Sequence, residues 1–448
     1  MVAHAFGGPQ WAPKNLATLL TWVHFRGLVV LALLFAGNLF CMACPFVLVR
    51  DLARRLHPPR WKWPKVLRNK WPAVFLFATV LFSYELFDLW SNPLGTGVLI
   101  VLYFVAIVVV DISFERATFC KYVCPVGQFN FLSSLLSPWE VAVRDPDTCA
   151  NCRTKECILG TTAPRPEPSV DFQPLPILQR GCELGLYLPR KSGNMDCTFC
   201  LDCAAACPHD NIGILSQMPA EHLTTSGVRS GIGAPERRRD LAALSVLFCF
   251  GAILNAFAMI QPVYALESYV ATWLHWNVEW PILTLLFLFG LVIIPAVMLG
   301  TTASVCKALT HSPLHLSDIV CSYARSLVPM GFGIWLAHYG FHFFTGILTV
   351  IPVTQAAVAS TFGAAYLGRP AWQLGGLPER VVYVLELGFL GLGFIGSCLV
   401  VHGISHQVSQ QLAAKMGAPW YALQVLLLLS AWWIMSQPME MRGTFLGG

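Results

Sequence analysis

The sequence predicts an all-α polytopic membrane protein of about eight transmembrane helices, interrupted once by a polar insert rich in cysteine. Three observations carry that expectation. Apolar residues fill 56% of the 448 positions and charged residues only 12%, against ~25% charged in an ordinary soluble protein. Eight stretches approach the roughly 20 residues a helix needs to cross hydrocarbon, near 26–49, 72–90, 95–113, 241–264, 280–300, 327–350, 380–403 and 419–437. Eight of the 16 cysteines lie between Cys149 and Cys207. The first observation excludes a water-soluble globular enzyme. It also excludes a disordered chain, which needs few apolar residues and much charge. The net charge of +5 comes from basic residues concentrated in a few interhelical loops, so nucleic acid is not an expected partner.

The opening apolar run is compatible with a cleavable leader, but no small-residue cleavage site follows it and we read it as a retained helix. The loop after it holds Arg50, Arg54, Arg55, Arg60, Lys62, Lys65, Arg68 and Lys70 against one acid, Asp51, which predicts a cytoplasmic loop. Carried forward, the 91–94 turn, the 265–279 loop and the 351–379 loop lie outside, and both termini face outward. Basic residues are nearly absent from those outer loops apart from Arg369. The domains expected are therefore 1–113 with helices one to three, a cytoplasmic insert over 114–239, and 240–448 with helices four to eight. The insert, with its Asp-Pro-Asp and Pro-Arg-Pro-Glu-Pro stretches, has no amphipathic period long enough for a conventional core. Something besides apolar burial is expected to hold it.

Cys197, Cys200 and Cys203 are each spaced by two residues, and Cys207 follows after three more with Pro208 behind it. This C-x2-C-x2-C-x3-C-P run is the ferredoxin pattern, in which three thiolates of a tight loop bind one [4Fe-4S] cluster and the fourth reaches a second. Zinc would want two C-x2-C pairs across a longer span and no terminal Cys-Pro. Upstream stand Cys149, Cys152 and Cys157, with Cys182 later in "RGCELGLYLP" beside a glycine. Ligand exchange then predicts one cluster on Cys149, Cys152, Cys157 and Cys207, and another on Cys197, Cys200, Cys203 and Cys182. The alternative leaves Cys182 a stray thiol and the first set degenerate. Two metal clusters would stabilise a small domain without a large core.

Two further pairs, Cys41 and Cys44 in "LFCMACPF" and Cys120 and Cys124 in "TFCKYVCPVG", look like two copies of one device. Their spacings of i,i+3 and i,i+4 place both thiols of each pair on one helix face, and the proline marks where the helix kinks or stops. If helices one and three are neighbours, the four thiols form a third site, metal or cluster in one form and a reversible dithiol pair in the other. The competing reading is close packing by small residues.

The Cys120, Cys124, Pro125 segment followed by a two-cluster insert resembles the membrane polyferredoxin family that includes NosR of nitrous oxide reduction, NapH of periplasmic nitrate reduction and CcoG (also FixG or RdxA) of cytochrome oxidase assembly. The similarity covers 26–239 and is densest at Cys120–Pro125 and Cys197–Pro208. This sequence departs from the family in two ways: the first pair has two intervening residues where the family usually has three, and no flavin-binding domain like that of NosR is found. The resemblance implies electron transfer in a bacterial inner membrane, between the quinone pool or a cytoplasmic donor and a partner redox protein. It also implies, as the alternative, a maturation factor that reduces a metal or thiol for another enzyme.

In the second membrane half, intramembrane histidine is a functional hypothesis by default. His338 and His342 sit at i,i+4 in one helix, and His402 and His406 do so at the end of the next. Ligation of b-haem, a quinone or proton-relay role, and plain interhelical hydrogen bonding are the three readings, with Glu386 the clear intramembrane acid. His338 falls near mid-bilayer and His402 near the headgroups, which argues against one joint site. His311 and His315 with Cys306 and Cys321 match no metal motif, and a solvated loop is expected there. Cys249 and Cys398 read as packing residues. A phosphate-cradling loop, a nucleophile motif and a dinucleotide fingerprint are all missing, so nicotinamide is not expected to bind. A redox-driven transporter has less support, because neither discontinuous apolar segments nor inverted repeats are evident.

Overall fold

The computed structural model describes residues 1–162, 177–276, 278–363 and 365–439; the Pro-Arg-Pro-Glu-Pro stretch lies outside the described residues. The chain is mostly helical and divides into two compact units by contact rather than by chain order. The first gathers Met1–Leu31, Lys70–Ala106 and Arg239–Gly448, the second Ala32–Asn69 and Ile107–Arg238.

Among the described residues, seven helices are long and apolar enough to cross a membrane: Leu16–Ala36, Pro93–Ser113, Arg239–Phe257, Glu279–Thr310, Leu316–Gly346, Glu379–Val408 and Ala413–Met435. The eighth expected span, near 72–90, is a shorter apolar helix, Trp71–Leu86, of 16 residues, about 24 Å at 1.5 Å per residue. It ends in a turn at Phe87–Ser91 in which Asp88 takes a left-handed conformation. The first span is displaced as well: the chain leaves helix at Gly37, whose φ of 77° suits glycine, and Pro45–Leu56 forms a separate helix. Two expected outer loops carry helix, Gln261–Leu274 and Val350–Phe362. The former exposes Tyr269 and Trp273, an aromatic dressing that suits a membrane interface.

In the first unit, Leu316–Gly346 is buried along nearly its whole length. It lies against Glu379–Val408 through glycines: a Cβ on Gly333 would meet the Phe389 carbonyl at 2.7 Å, and one on Gly393 the Pro329 carbonyl at 2.8 Å. Such contacts let backbones approach where lipid removes the hydrophobic drive between helices. Polar ties complete the packing. Ser397 accepts the Met330 amide at 2.9 Å, Tyr323 meets Ser405 at 2.9 Å, and the Trp335 indole donates to the Phe248 carbonyl at 2.9 Å. Arg26 is held by the faces of Trp22, Tyr84 and Tyr339 at 4.3, 4.5 and 4.9 Å, cation–π contacts that suit a cation on a spanning helix.

In the second unit, Trp139–Val143 pairs antiparallel with Ile212–Ser216, Trp139 opposite Ser216 and Val143 opposite Ile212. Against expectation, the insert has an apolar core, with Ala117, Val141, Leu184, Leu186, Leu188, Phe199 and Ile212 buried around Cys197 and Cys203. These residues come from separate short segments, so no window of the sequence carries their periodicity. The Asp-Pro-Asp stretch starts a helix: Asp145 caps Pro146–Asn151 by accepting the Asp147 and Thr148 amides, with proline at the first helical position.

Gly393→Val should drive methyl groups into the Pro329 backbone and destabilise the first unit by about 1–3 kcal/mol. Gly391→Val, into open space, should be neutral. Thermal unfolding of the two detergent-solubilised variants checks the contrast.

Candidate metal centres

All eight insert cysteines, and the two Cys-Pro pairs, belong to the second unit. Cys149, Cys152, Cys157 and Cys207 line one small cavity together with Lys155, Tyr187, His209 and Asn211. The capped helix Pro146–Asn151 presents Cys149, and Lys155, in a left-handed conformation, turns the chain between Cys152 and Cys157. Asn211 serves two of the thiols: its side chain donates to Cys149 Sγ and its amide to Cys207 Sγ, both at 3.4 Å. The Lys155 amide and the Thr154 hydroxyl hold Cys152 down to about 7, whereas burial pushes Cys157 up to about 11.

Cys182, Cys197, Cys200 and Cys203 line a second cavity, of about 190 Å³. Phe199 and Leu201, both left-handed at φ near 60°, coil the chain between these thiols. That conformation costs an L-residue roughly 1–2 kcal/mol, a sum the loop must recover from its ligands and its core. The Leu186 amide donates to Cys182 Sγ at 3.4 Å.

The same cavity reaches Cys41 and Cys120. Each pair straddles a break between two helices rather than lying along one face: Cys41 lies in Leu39–Met42 and Cys120 in Phe119–Val123, while Cys44 caps Pro45–Leu56 and Cys124 caps Pro125–Ser133, each with proline at the first helical position. The preceding helix stops before the Cys-Pro, as the proline predicts, and the following helix begins on it. Cys124 Sγ accepts the Gly127 amide at 3.1 Å, and the Asn130 side chain donates to Cys41 Sγ at 3.4 Å. Cys124 feels the charge of both Cys41 and Cys44, and Cys120 that of Cys124 and Cys41, so thiols of the two pairs interact with one another. Burial pushes Cys41 up to about 12, against the opposing Asn130 hydrogen bond.

A buried ion-pair network borders the cavity. Arg50 pairs with Asp51 at 2.7 Å, Glu183 at 3.0 Å and Asp111 at 3.6 Å. Arg54 meets Glu183 at 3.2 Å, and Arg180 meets Asp51 at 3.1 Å. Sequence reasoning missed Asn38, Asn130, Asn211, Arg50 and Glu183. The available signal was polar side chains in otherwise apolar runs beside cysteine, as in "GNLFC" and "GQFNF".

Among the described residues no three His, Cys, Asp or Glu side chains are arranged to hold a single metal ion. Thiols ringing a cavity in fours are instead the donor set of an iron–sulfur cluster, and the residues fit that group.

In the first unit the histidine pairs differ in setting. His338 and His342 are buried, with His342 Nε2 3.4 Å from Met259 Sδ, whereas His402 and His406 are exposed. The two pairs do not share an interior site. Glu386 is buried with Oε1 making no hydrogen bond. His311 and His315 are exposed while Cys306 and Cys321 are buried.

A 4Fe-4S binding domain matches residues 18–64 and 96–138. Those segments hold Cys41, Cys44, Cys120 and Cys124 and none of the eight insert cysteines. An uncharacterised protein of Methanocaldococcus jannaschii is 22% identical over 201 residues, 43% of this chain and 69% of that protein. The regulatory protein NosR of Pseudomonas aeruginosa is 27% identical over 194 residues, 38% of this chain but 24% of NosR. No solved structure matches. Apolar helices of spanning length together with a 4Fe-4S binding domain define a multi-pass membrane protein of iron–sulfur electron transfer. Over the matched part of its length the chain is similar to NosR, a likeness that supports a NosR-like membrane polyferredoxin.

Arg50→Met should leave Asp111 buried without its cation and destabilise the second unit by about 3 kcal/mol. Adding Asp111→Asn should recover part of that loss. Limited proteolysis and denaturant unfolding of the single and double variants test the coupling.

Proposed function

We propose that the protein carries electrons between a membrane donor or acceptor and a partner redox protein through three four-thiol centres in its second unit. Cys149, Cys152, Cys157 and Cys207 would hold one [4Fe-4S] cluster, Cys182, Cys197, Cys200 and Cys203 a second, and Cys41, Cys44, Cys120 and Cys124 a third. The observation that carries the reading is that the last four thiols, from two Cys-Pro segments, lie in the two stretches matched by the 4Fe-4S binding domain, and that one thiol of each pair, Cys41 and Cys120, lines the same cavity. A [4Fe-4S] cluster, when bound, takes up and releases one electron at a potential set by its surroundings.

The chain's own residues supply those surroundings. Asn130, Asn211 and the Gly127 and Leu186 amides donate to the sulfurs, which spreads negative charge and favours the reduced level. Leu184, Leu186 and Phe199 keep water from the inner group. The basic 50–71 loop favours a cytoplasmic position for the second unit, in an inner membrane where thiols stay reduced. The quinone pool is the proposed membrane partner. Its support is an apolar cavity of about 880 Å³ in the first unit, lined by Phe250, Leu254, Trp273 and Trp433 with Glu267 and Ser430, within the size range of small-molecule sites.

Anaerobically purified protein should contain about twelve cluster irons per chain. Cys44→Ser and Cys120→Ser should each remove about four and abolish electron transfer from a quinol analogue, while the reduced-state signal of the insert centres persists. Full iron and activity in both variants would reduce the two pairs to helix packing. A cysteine placed at exposed Ser226 should react with an impermeant reagent only from the cytoplasmic side; reaction from the periplasm would invert the topology.

A further inference from the structure

The three thiol groups occur in one order within the second unit, and two contacts define it. The Cys182 amide donates to the Cys157 carbonyl at 2.8 Å, joining the inner quartet to the outer one. Asn38 joins the inner quartet to the four thiols beside the apolar helices. Its Nδ2 donates to the Cys197 carbonyl at 3.0 Å, and its Oδ1 accepts the Cys41 amide at 3.4 Å. The side chain is fully buried. A buried amide is unfavourable unless both ends are used, and here both are used on the backbones of two different ligand loops. The preceding Gly37 strengthens the contact, because a Cβ there would lie 2.7 Å from the Phe199 ring, inside the Cys197–Cys203 loop. Cys41, Cys120, Cys182 and Cys197 share one cavity, whereas the outer quartet lines another.

We propose that the three centres form a linear chain with the inner quartet in the middle, and that Asn38 is the positioning residue that fixes the spacing of Cys41 and Cys197 for electron exchange between them. The inference rests on the three-centre reading above. Each exchange would move one electron and break no bond, the donor centre losing the electron that the acceptor gains. A quinol oxidised to quinone would supply two electrons in two such exchanges and release its two protons to water. Without the Asn38 tether the two loops meet only through apolar contact, and the spacing is no longer set.

The test uses the full-length protein, wild type and three variants, purified anaerobically and reduced with dithionite. Asn38→Asp is nearly isosteric, keeps the acceptor for Cys41 and sets an anion against the Cys197 carbonyl; Asn38→Leu removes both bonds. Cys41→Ser identifies the signal of the centre beside the apolar helices. In both Asn38 variants iron content and the spin coupling between the two insert centres should stay at wild-type levels. The coupling of the Cys41 centre to the insert should fall severalfold, and reduction of the insert by a quinol analogue should slow by about tenfold or more. Unchanged coupling in both variants, or a parallel fall in the insert's own coupling, overturns the proposal. Loss of iron in both variants overturns it too, by making Asn38 a folding residue. If Cys41→Ser removes neither iron nor signal from the wild type, the three-centre reading itself fails, and that outcome is distinct from the others.

Discussion

A thiol removed from water stays protonated unless a cation meets it, and the second unit is built around that constraint. Twelve of the 16 cysteines lie in it, most of them partly or fully buried. Burial raises Cys41 and Cys157 far above the range in which a free thiol ionises, and metal binding would displace those protons. The amides and asparagines that donate to sulfur are placed for the charged state, since a neutral thiol gains little from them. Cys152 is the exception, held near 7 by the hydrogen bonds of its own turn.

The ion pairs around Arg50 follow from the same constraint. Asp51, Asp111 and Glu183 would add negative charge beside thiols that must themselves become negative, and Arg50, Arg54 and Arg180 offset it. The basic loop that reads as a topogenic signal is thus also structural. Arg50 and Arg54 turn inward to carboxylates, while Arg60, Lys62 and Lys65 remain exposed. One stretch of positive charge serves two purposes, and composition alone cannot divide it.

The parts of the fold legible in the sequence are those set by local spacing. The C-x2-C-x2-C-x3-C-P run and the kinship of the two Cys-Pro pairs are short-range patterns, and the insert thiols line two cavities. Spanning helices were legible to within a shift, except where polar residues shortened one at Leu86 and where Gly37 moved the first toward the N-terminus. Long-range features were not legible. The apolar core of the insert is assembled from Val141, Leu184 and Ile212, which no periodicity links. Asn38 and Cys197 are 159 positions apart. The break between the two thiols of each pair was not legible either: Cys41 and Cys120 lie in the helix that ends before the Cys-Pro, while Cys44 and Cys124 cap the helix that follows.

The two Cys-Pro helix starts are half-sites. Neither can complete a set of four alone, and the chain between them includes Trp71–Leu86 and Pro93–Ser113. The last thiol of each group leaves the ribosome in the order Cys124, Cys203, Cys207. On the proposed three-centre reading, the group closed by Cys124 would be the first that can be filled and the outer quartet the last. Metal delivered too early would find only half-sites, and the final cysteine of the run would complete the outer quartet.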